Sequence, residues 1–281
     1  MLKELEAILK REIRKVPRPY GIFLSGGLDS GLLAALSKPN IAITCNFKEC
    51  SELEYAEKIA KHLKIRLEVV RPQKQTFNGF LDRAVKVIGK PINSVSIVPW
   101  YCLMGATQGE TMINGEGADE LFGGYSRYLI MKRVFDLYNQ PELENYHPTL
   151  DYLFNDIHSK LVGKEMPHTT DMQEVMNYEF NRTLPDIIFM ENKLAKHFNV
   201  KLYRPFMSRA VRKFARNLPL KYKISDFQTK VILRRLAEKY LPKSVVYRKT
   251  KMGLTCPVNE WMGWTGRKYD KTEYLKYQKK L

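Results

Sequence analysis

The feature that most constrains this chain is an alternation. Between residues 20 and 114, short runs rich in apolar and β-branched residues take turns with segments of helical periodicity. Residues 20–24 (YGIFL) form an apolar run that ends in a glycine-rich turn, which predicts a buried strand. A helix follows, carrying Leu32, Leu33, Ala35 and Leu36, and Pro39-Asn40 end it. Residues 41–47 and 65–70 read as further strands. Between them lies a helix with Ala56, Ile59, Ala60 and Leu63 at i, i+3, i+4 and i+7. More helix runs to Gly89 and again over 99–107, and 111–114 is a fourth strand. Ahead of all this, residues 2–15 place Leu2, Leu5, Leu9 and Ile13 near one helical face, and Pro17 and Pro19 stop that helix. Strands and helices in such turn predict an α/β fold: a parallel sheet with helices on both faces.

The pattern changes near residue 130. Pro141, Pro148, Gly163 and Pro167 break up a polar stretch, and helical signals then dominate. Thr170 with Gln173 resembles a capping box, and 228–241 carries Leu233, Leu236, Ala237 and Tyr240 on one stripe. The expected organisation is an α/β core over 1–130 and a helical, basic part over 131–281 that completes the site.

The charge is uneven in the same way. The chain carries 47 Lys/Arg against 30 Asp/Glu, a net +17, and residues 201–281 alone hold 22 against 5. Such a field attracts polyanions: nucleic acid, but equally ATP and pyrophosphate. No apolar stretch of about 18 residues predicts a membrane span. The amino terminus lacks the uninterrupted apolar core of a signal peptide. The four cysteines (45, 50, 102, 256) form no CxxC pair and have no histidines at zinc spacing. Small reduced core residues and a cytoplasmic location are expected.

Two loops carry the chemistry. Leu24-Ser25-Gly26-Gly27-Leu28-Asp29-Ser30 lies directly after a predicted strand and before a helix. Gly26 and Gly27 let backbone approach an anion, Ser25 and Ser30 offer hydroxyls, and the helix start offers N–H groups. Asp29 fits beside phosphate only if a divalent cation bridges the two. The second loop runs from Asn114 to Tyr125 (NGEGADELFGGY) after the fourth strand. Its acids Glu116, Asp119 and Glu120 repel one another unless a cation or proton is shared. Asp119 is the natural second metal ligand opposite Asp29, and Glu116, between Gly115 and Gly117, is placed to act as a base toward an amine.

SGGLDS resembles the pyrophosphate-binding loop of the N-type ATP pyrophosphatases, the PP-loop enzymes. GEGADELFGGY is narrower and resembles the signature of the synthetase domain of the asparagine synthetase B family. Further matches follow in order: Ser51-Glu-Leu-Glu-Tyr-Ala56, Arg204-Pro-Phe206, Lys230-Val-Ile-Leu-Arg234, Leu241-Pro242, Lys249-Thr-Lys-Met-Gly253 and Pro257…Trp261. The resemblance spans roughly residues 18–262.

It implies a five-stranded Rossmann-like sheet of the adenine nucleotide alpha hydrolase-like kind. It implies ATP with Mg²⁺ held by Asp29 and Asp119, and a pyrophosphate cradle of Leu24, Ser25, Gly26, Gly27, Asp29, Ser30 and Gly115. Lys230 would help hold the leaving group, and Lys251 would neutralise charge at the α-phosphate. Glu116 would take the proton of the incoming ammonia, and Glu191 falls near where relatives place a substrate-side acid. The implied reaction joins aspartate and ammonia into asparagine through an acyl-adenylate, releasing AMP and pyrophosphate. Another carboxylate, or a base in RNA, is the alternative acceptor. Against RNA stand the missing catalytic cysteine pair and the lack of a recognisable RNA module. Full-length members begin with a glutaminase domain, and the chain reaches its first loop by residue 25. Free ammonia, a separate glutaminase subunit or a different amine is therefore expected. Ser51, Ser208 and Leu254 replace residues usual in the family, which loosens the link to aspartate.

Overall fold

A computed structural model describes residues 1–47, 52–141, 169, 171–248, 253–254, 256–263 and 271–281. Five strands form one sheet: β1 (Gly21–Phe23), β2 (Ile41–Cys45), β3 (Leu67–Val70), β4 (Thr111–Ile113) and β5 (Lys201–Tyr203). Their order is β3-β2-β1-β4-β5, and every neighbouring pair is parallel. Four strands coincide with the expected runs. The fifth comes from the part expected to be helical. It spans three residues, pairs Ile113 with Tyr203, and completes the five-stranded sheet that the family resemblance implies.

Both faces are covered, as the near-continuous apolar strands require. Successive side chains of a strand point to opposite faces. Ile22 and Leu24 therefore enter one core, with Ala42 and Ile113, while Phe23 enters another with Ile43 and Met112. The first core takes Leu5, Leu9 and Ile13 of α1 (Leu2–Ile13), Leu32 and Leu33 of α2 (Leu28–Ser37), and Ala56 and Ile59 of α3 (Leu53–Leu63). The second takes Phe77, Leu81 and Ile88 of α4 (Lys74–Ile88) and Val98 and Met104 of α5 (Ile97–Ala106). Gly89, with φ at 80°, ends α4 in the left-handed region that glycine tolerates.

After β4 come α6 (Ala118–Phe122), α7 (Ser126–Tyr138), α8 (Met172–Arg182) and α9 (Leu184–His197). A third, smaller core of Tyr128, Met131, Phe135, Val175 and Met176 joins α7 to α8. A part-buried ion pair reinforces it. Arg127 grips Glu179 with two hydrogen bonds of 3.0 and 2.6 Å, and the Tyr128 hydroxyl donates a third at 2.5 Å. The expected capping residue Thr170 lies outside the described residues. Asp171 caps α8, its carboxylate accepting from the Gln173 N–H at 2.7 Å.

The remaining helices are α10 (Arg209–Arg216), α11 (Val231–Ala237), α12 (Lys243–Val246), α13 (Val258–Trp261) and α14 (Lys271–Lys279). The helix expected over 228–241 begins three residues late. Lys230 sits at its N-cap with φ at 53°, so residues 228–230 stay outside the helix. Of the described residues, no helix is long and apolar enough to cross a membrane. Cys45 and Cys102 are free thiols, and Cys256 is buried, its Sγ donating to the Val95 carbonyl at 3.1 Å.

The carboxy-terminal part is tied to α1 through Glu6. Its carboxylate accepts from Lys10 at 2.7 Å, from the Tyr240 hydroxyl at 2.5 Å and from Lys239 at 3.0 Å. The Lys10 bond, then those of Tyr240 and Lys239, hold its carboxyl down from 4.5 to about 2. A carboxyl lowered on folding contributes its stability fully above its unfolded value and loses it as pH falls toward the folded one. Glu6→Gln should therefore lower Tm at pH 7 by about 2–4 °C, for about 1 kcal/mol of partly exposed ion pairing. The difference from the parent should shrink between pH 4.5 and about 2. Thermal melts of both proteins across that range check this, and a constant difference would contradict it.

Candidate active site

β1 and β4 are neighbours, but the chain leaves β1 toward β2 on one side and β4 leads on to β5 on the other. A crevice at the carboxyl ends of two such strands is where open α/β sheets bind ligands. Both sequence-predicted loops emerge there.

The first loop is braced from within and behind. The Leu24 N–H donates to the Ile43 carbonyl at 2.8 Å. The Ser25 N–H donates to Ser30 Oγ at 3.2 Å, and the two serine hydroxyls lie 3.1 Å apart. Gly26 has φ at 72°, and a Cβ there would come within 2.9 Å of the Ala56 nitrogen and the Glu52 carbonyl. Only glycine fits that turn. Gly27 is the N-cap of α2 and brings no side-chain hydrogen bond. The first N–H groups of α2 are thus offered to whatever occupies the crevice.

The second loop lies directly against the first, with Gly115 packed on Ser30 and Asp29. Asp119 stands in the first turn of α6. Lys230 reaches in from its left-handed position before α11. Its Nζ donates to Asp29 Oδ2 at 2.5 Å and lies 2.6 Å from Asp119 Oδ1. The lysine is 4% exposed and Asp29 is 8% exposed. Gly124 makes room for this contact, because a Cβ there would run into the Asp119 carboxylate and the Lys230 side chain. An ammonium therefore sits between the two carboxylates expected to share a cation.

The third acid of the loop is satisfied differently. Glu120 is buried and accepts from the Tyr125 hydroxyl at 2.5 Å. Burial, and then the charge of Asp119, push its carboxyl up to about 7, with the Tyr125 bond pulling back. The expected repulsion among the three acids is thus relieved by a cation at Asp119 and by ready protonation at Glu120.

Glu116 and Glu191 meet, though not both at the cleft surface. Glu116 lines the cleft, and its N–H donates to Asn114 Oδ1 at 3.1 Å. Glu191, on α9, is fully buried. Its Oε1 accepts from Asn114 Nδ2 at 3.0 Å, and its Oε2 accepts from Arg204 Nε and Nη2 at 2.9 and 2.7 Å. Burial pushes the Glu191 carboxyl up, while Arg204, Asn114 and a hydrogen bond with Glu116 pull it back. Glu191, expected on the substrate side, is buried behind the cleft lining, with Asn114 on one of its oxygens and Arg204 on the other.

The cleft between the loops has a volume of about 980 Å³. Leu24, Ser25, Gly27, Asp29, Ser30, Gly115, Glu116, Asp119 and Lys230 all line it, while Gly26 does not. The Gly26 carbonyl is turned toward Arg248, which donates to it at 3.3 Å, pairs with Glu52 and stacks 4.4 Å from the Tyr55 ring centre. Lys251 and Ser51 lie outside the described residues. One end of the cleft is apolar, with Phe23, Ile43, Cys45, Trp100 and Leu103, and Phe23 meets Trp100 edge to face at 5.3 Å. Phe227, 85% exposed, stands at its rim.

Several of these residues escaped the sequence reading. Asn114 was legible only as the first residue of the second loop, and Arg204 only as part of a motif. Glu52 and Tyr55 were legible only as part of a motif, and Arg248 carries no local signal for bracing a loop on another element. Trp100 reads as a core aromatic within a helix.

Comparison with known proteins agrees with this architecture. The sequence matches the family described as asparagine synthase over residues 3–274. It is 24% identical to asparagine synthetase [glutamine-hydrolyzing] 1 of Bacillus subtilis, over 87% of this chain and 47% of that protein. It is 25% identical to a putative asparagine synthetase [glutamine-hydrolyzing] 1 of Methanocaldococcus jannaschii, over 88% of this chain and 48% of that one. Asparagine synthetase B of Escherichia coli is 26% identical over 38% of this chain. The chain spans about half the length of the first two relatives. With a matching family over nearly its whole length and a ligand crevice at the switch point of its sheet, the chain belongs to the asparagine synthase family.

Proposed function

We propose that this chain activates a carboxylate with ATP and passes the acyl group to an amine, with aspartate and ammonia as the favoured pair. The observation that carries the reading is the convergence of Asp29, Asp119 and Lys230 beside an uncapped helix start and a glutamate-bearing loop. Support for the nucleotide comes from the shape of the cleft. Its apolar end suits a flat base, and the serines and N–H groups of the first loop suit a pyrophosphate.

The donor set fits Mg²⁺. Two carboxylates converge on one cation position, and among the described residues no group of three or more His, Cys, Asp or Glu forms a metal cage. Mg²⁺ is commonly held by one or two carboxylates plus substrate phosphates and water. Once bound, it would neutralise the charge that grows on the departing pyrophosphate. Lys230 would then turn its ammonium toward the phosphates. Lys251 is assigned by family resemblance to the α-phosphate.

In the first half-reaction a carboxylate oxygen attacks the α-phosphorus and the bond to pyrophosphate breaks. In the second, the amine nitrogen attacks the acyl carbon, a C–N bond forms, and AMP leaves with the electrons of the broken C–O bond. The nitrogen must lose a proton, and Glu116 is the carboxylate on the cleft surface able to take it.

Purified protein with ATP, Mg²⁺, aspartate and ammonium should release AMP and pyrophosphate and form asparagine, followed by mass spectrometry. Glu116→Gln should lower amide formation about 10²–10⁴-fold while pyrophosphate release continues, as loss of a general base predicts. Lys251→Ala should lower both. Pyrophosphate without asparagine would point to another carboxylate or amine, and no AMP under any of these conditions would sink the reading. A second test needs no turnover. Asp119→Asn should weaken binding of a non-hydrolysable ATP analogue about tenfold in calorimetry with Mg²⁺, and much less without it. Equal loss in both titrations would argue against a metal at Asp119.

A further inference from the structure

Two residues outside the expected catalytic set are bonded to the carboxyl partner of Glu116. Asn114 is the hub of the first contact. Its amide nitrogen donates to Glu191 Oε1, and its amide oxygen accepts the Glu116 N–H. One side chain thus fixes the buried carboxyl and the backbone that carries the candidate base. Arg204 is the second contact. Its two nitrogens close a fork on Glu191 Oε2, and its Nη1 donates to Asn192 Oδ1 at 3.0 Å. Asn114 follows the last residue of β4 and Arg204 the last residue of β5. The pair therefore rises from two adjacent, hydrogen-bonded strands, the most rigid support the fold offers this side of the cleft.

A carboxylate that takes three charge-assisted or amide hydrogen bonds has little freedom left. Glu191 is fully buried, so it cannot trade those donors for water. Glu116 is anchored beside it by the bond from its N–H to Asn114 Oδ1, on a loop flanked by glycines that give no rigidity of their own. The backbone of Glu116 is therefore held through Asn114 to Glu191, and Glu191 in turn by Arg204. Arg204 also sets a positive charge against two neighbouring carboxyl groups, which would otherwise repel.

We infer that Arg204 and Asn114 are positioning residues for the amide-forming step, holding Glu191 so that Glu116 faces the incoming amine. This rests on the acyl-adenylate reading above. Asn114 lines the cleft next to Gly115, but the side-chain hydrogen bonds described for Asn114 and Arg204 run to the Glu116 and Glu191 side of it. Their loss should therefore fall on the second half-reaction, where the amine gives up its proton, rather than on the release of pyrophosphate.

The test compares amide formed with AMP released, in the assay with ATP, Mg²⁺, aspartate and ammonium. Arg204→Lys keeps the charge and loses the fork. Asn114→Ala loses both ends of its bridge. In each the ratio of asparagine to AMP should fall about 10–100-fold, the range typical for residues that orient a reacting group, whatever happens to total turnover. The adenylate left without its amine is expected to hydrolyse, so AMP continues to appear. A merely structural role would lower AMP and asparagine together and leave the ratio unmoved, and that result would overturn the inference. Because Arg204 is part-buried, melting curves accompany both variants, and a ratio drop confined to a variant that melts normally is the supporting result. A parent that releases no pyrophosphate would remove the acyl-adenylate reading and this inference with it, whereas an active parent with an unmoved ratio in both variants would overturn this inference alone.

Discussion

The structure turns on one ammonium group. Lys230 comes from a segment 201 residues beyond Asp29, yet its Nζ sits between Asp29 and Asp119 inside the protein. Two carboxylates this close, with little water to screen them, would repel strongly on their own. Removing the lysine would leave an uncompensated pair of buried charges, which is far more damaging than losing a surface ion pair. The first loop, the second loop and the start of α11 therefore reach their working arrangement together. Lys230 takes up a left-handed backbone conformation to do this, an unusual state for a residue with a side chain. Such conformations persist only where the surroundings dictate them.

The same constraint explains how the chain keeps so many acids together. Each is compensated by a different means. Asp29 and Asp119 share a lysine, Glu120 is held near the point of protonation beside Tyr125, and Glu191 is gripped by an arginine. Each compensating group reaches its acid from a different part of the chain: before α11, the end of the second loop, and just after β5. A cleft built this way exposes Asp29, Glu116 and Asp119 to a ligand while the buried carboxyls stay fixed behind them. That division suits chemistry in which phosphate must be bound next to a base, since the groups that set geometry are separated from the groups that meet substrate.

Much of this was legible in the sequence, and the limits are physical. Residues 20–24 and 41–47 announced β1 and β2 because a strand buried on both faces reads as an unbroken apolar run. The glycines and acids of the two loops were legible because few turns tolerate that composition. β5 was not, since Lys-Leu-Tyr is too short for any period to show. Nor was the start of α11 at Val231, because the stripe of Leu233, Leu236 and Ala237 continues the pattern whether or not Lys230 is helical. Glu191 was legible as an acid near the site but not as a buried one. Its partners Arg204 and Asn114 are distant from each other in sequence and neighbours only because β4 and β5 pair. Contacts made across strands leave no local trace, and the bracing of the first loop by Glu52 and Arg248 is hidden for the same reason.

The basic carboxy-terminal segment divides into two populations that counting alone could not separate. Arg204, Lys230, Arg234 and Arg248 are turned inward. Arg234 donates to the carbonyls of Thr229 and Val246, and the other three hold Glu191, the paired aspartates and the Gly26 carbonyl with Glu52. These cations set the shape of the cleft, and those lining it bias it toward an anionic ligand. Arg209, Arg212, Lys213 and Arg216 instead form an exposed cationic face on α10, with no acid in that helix. A surplus of positive charge in this segment therefore requires no nucleic acid partner to account for the inward group, because the acids it serves lie mainly in the other part of the chain. The inward cations account for only a small share of the 22 Lys/Arg in residues 201–281, and the exposed face of α10 belongs to the remainder.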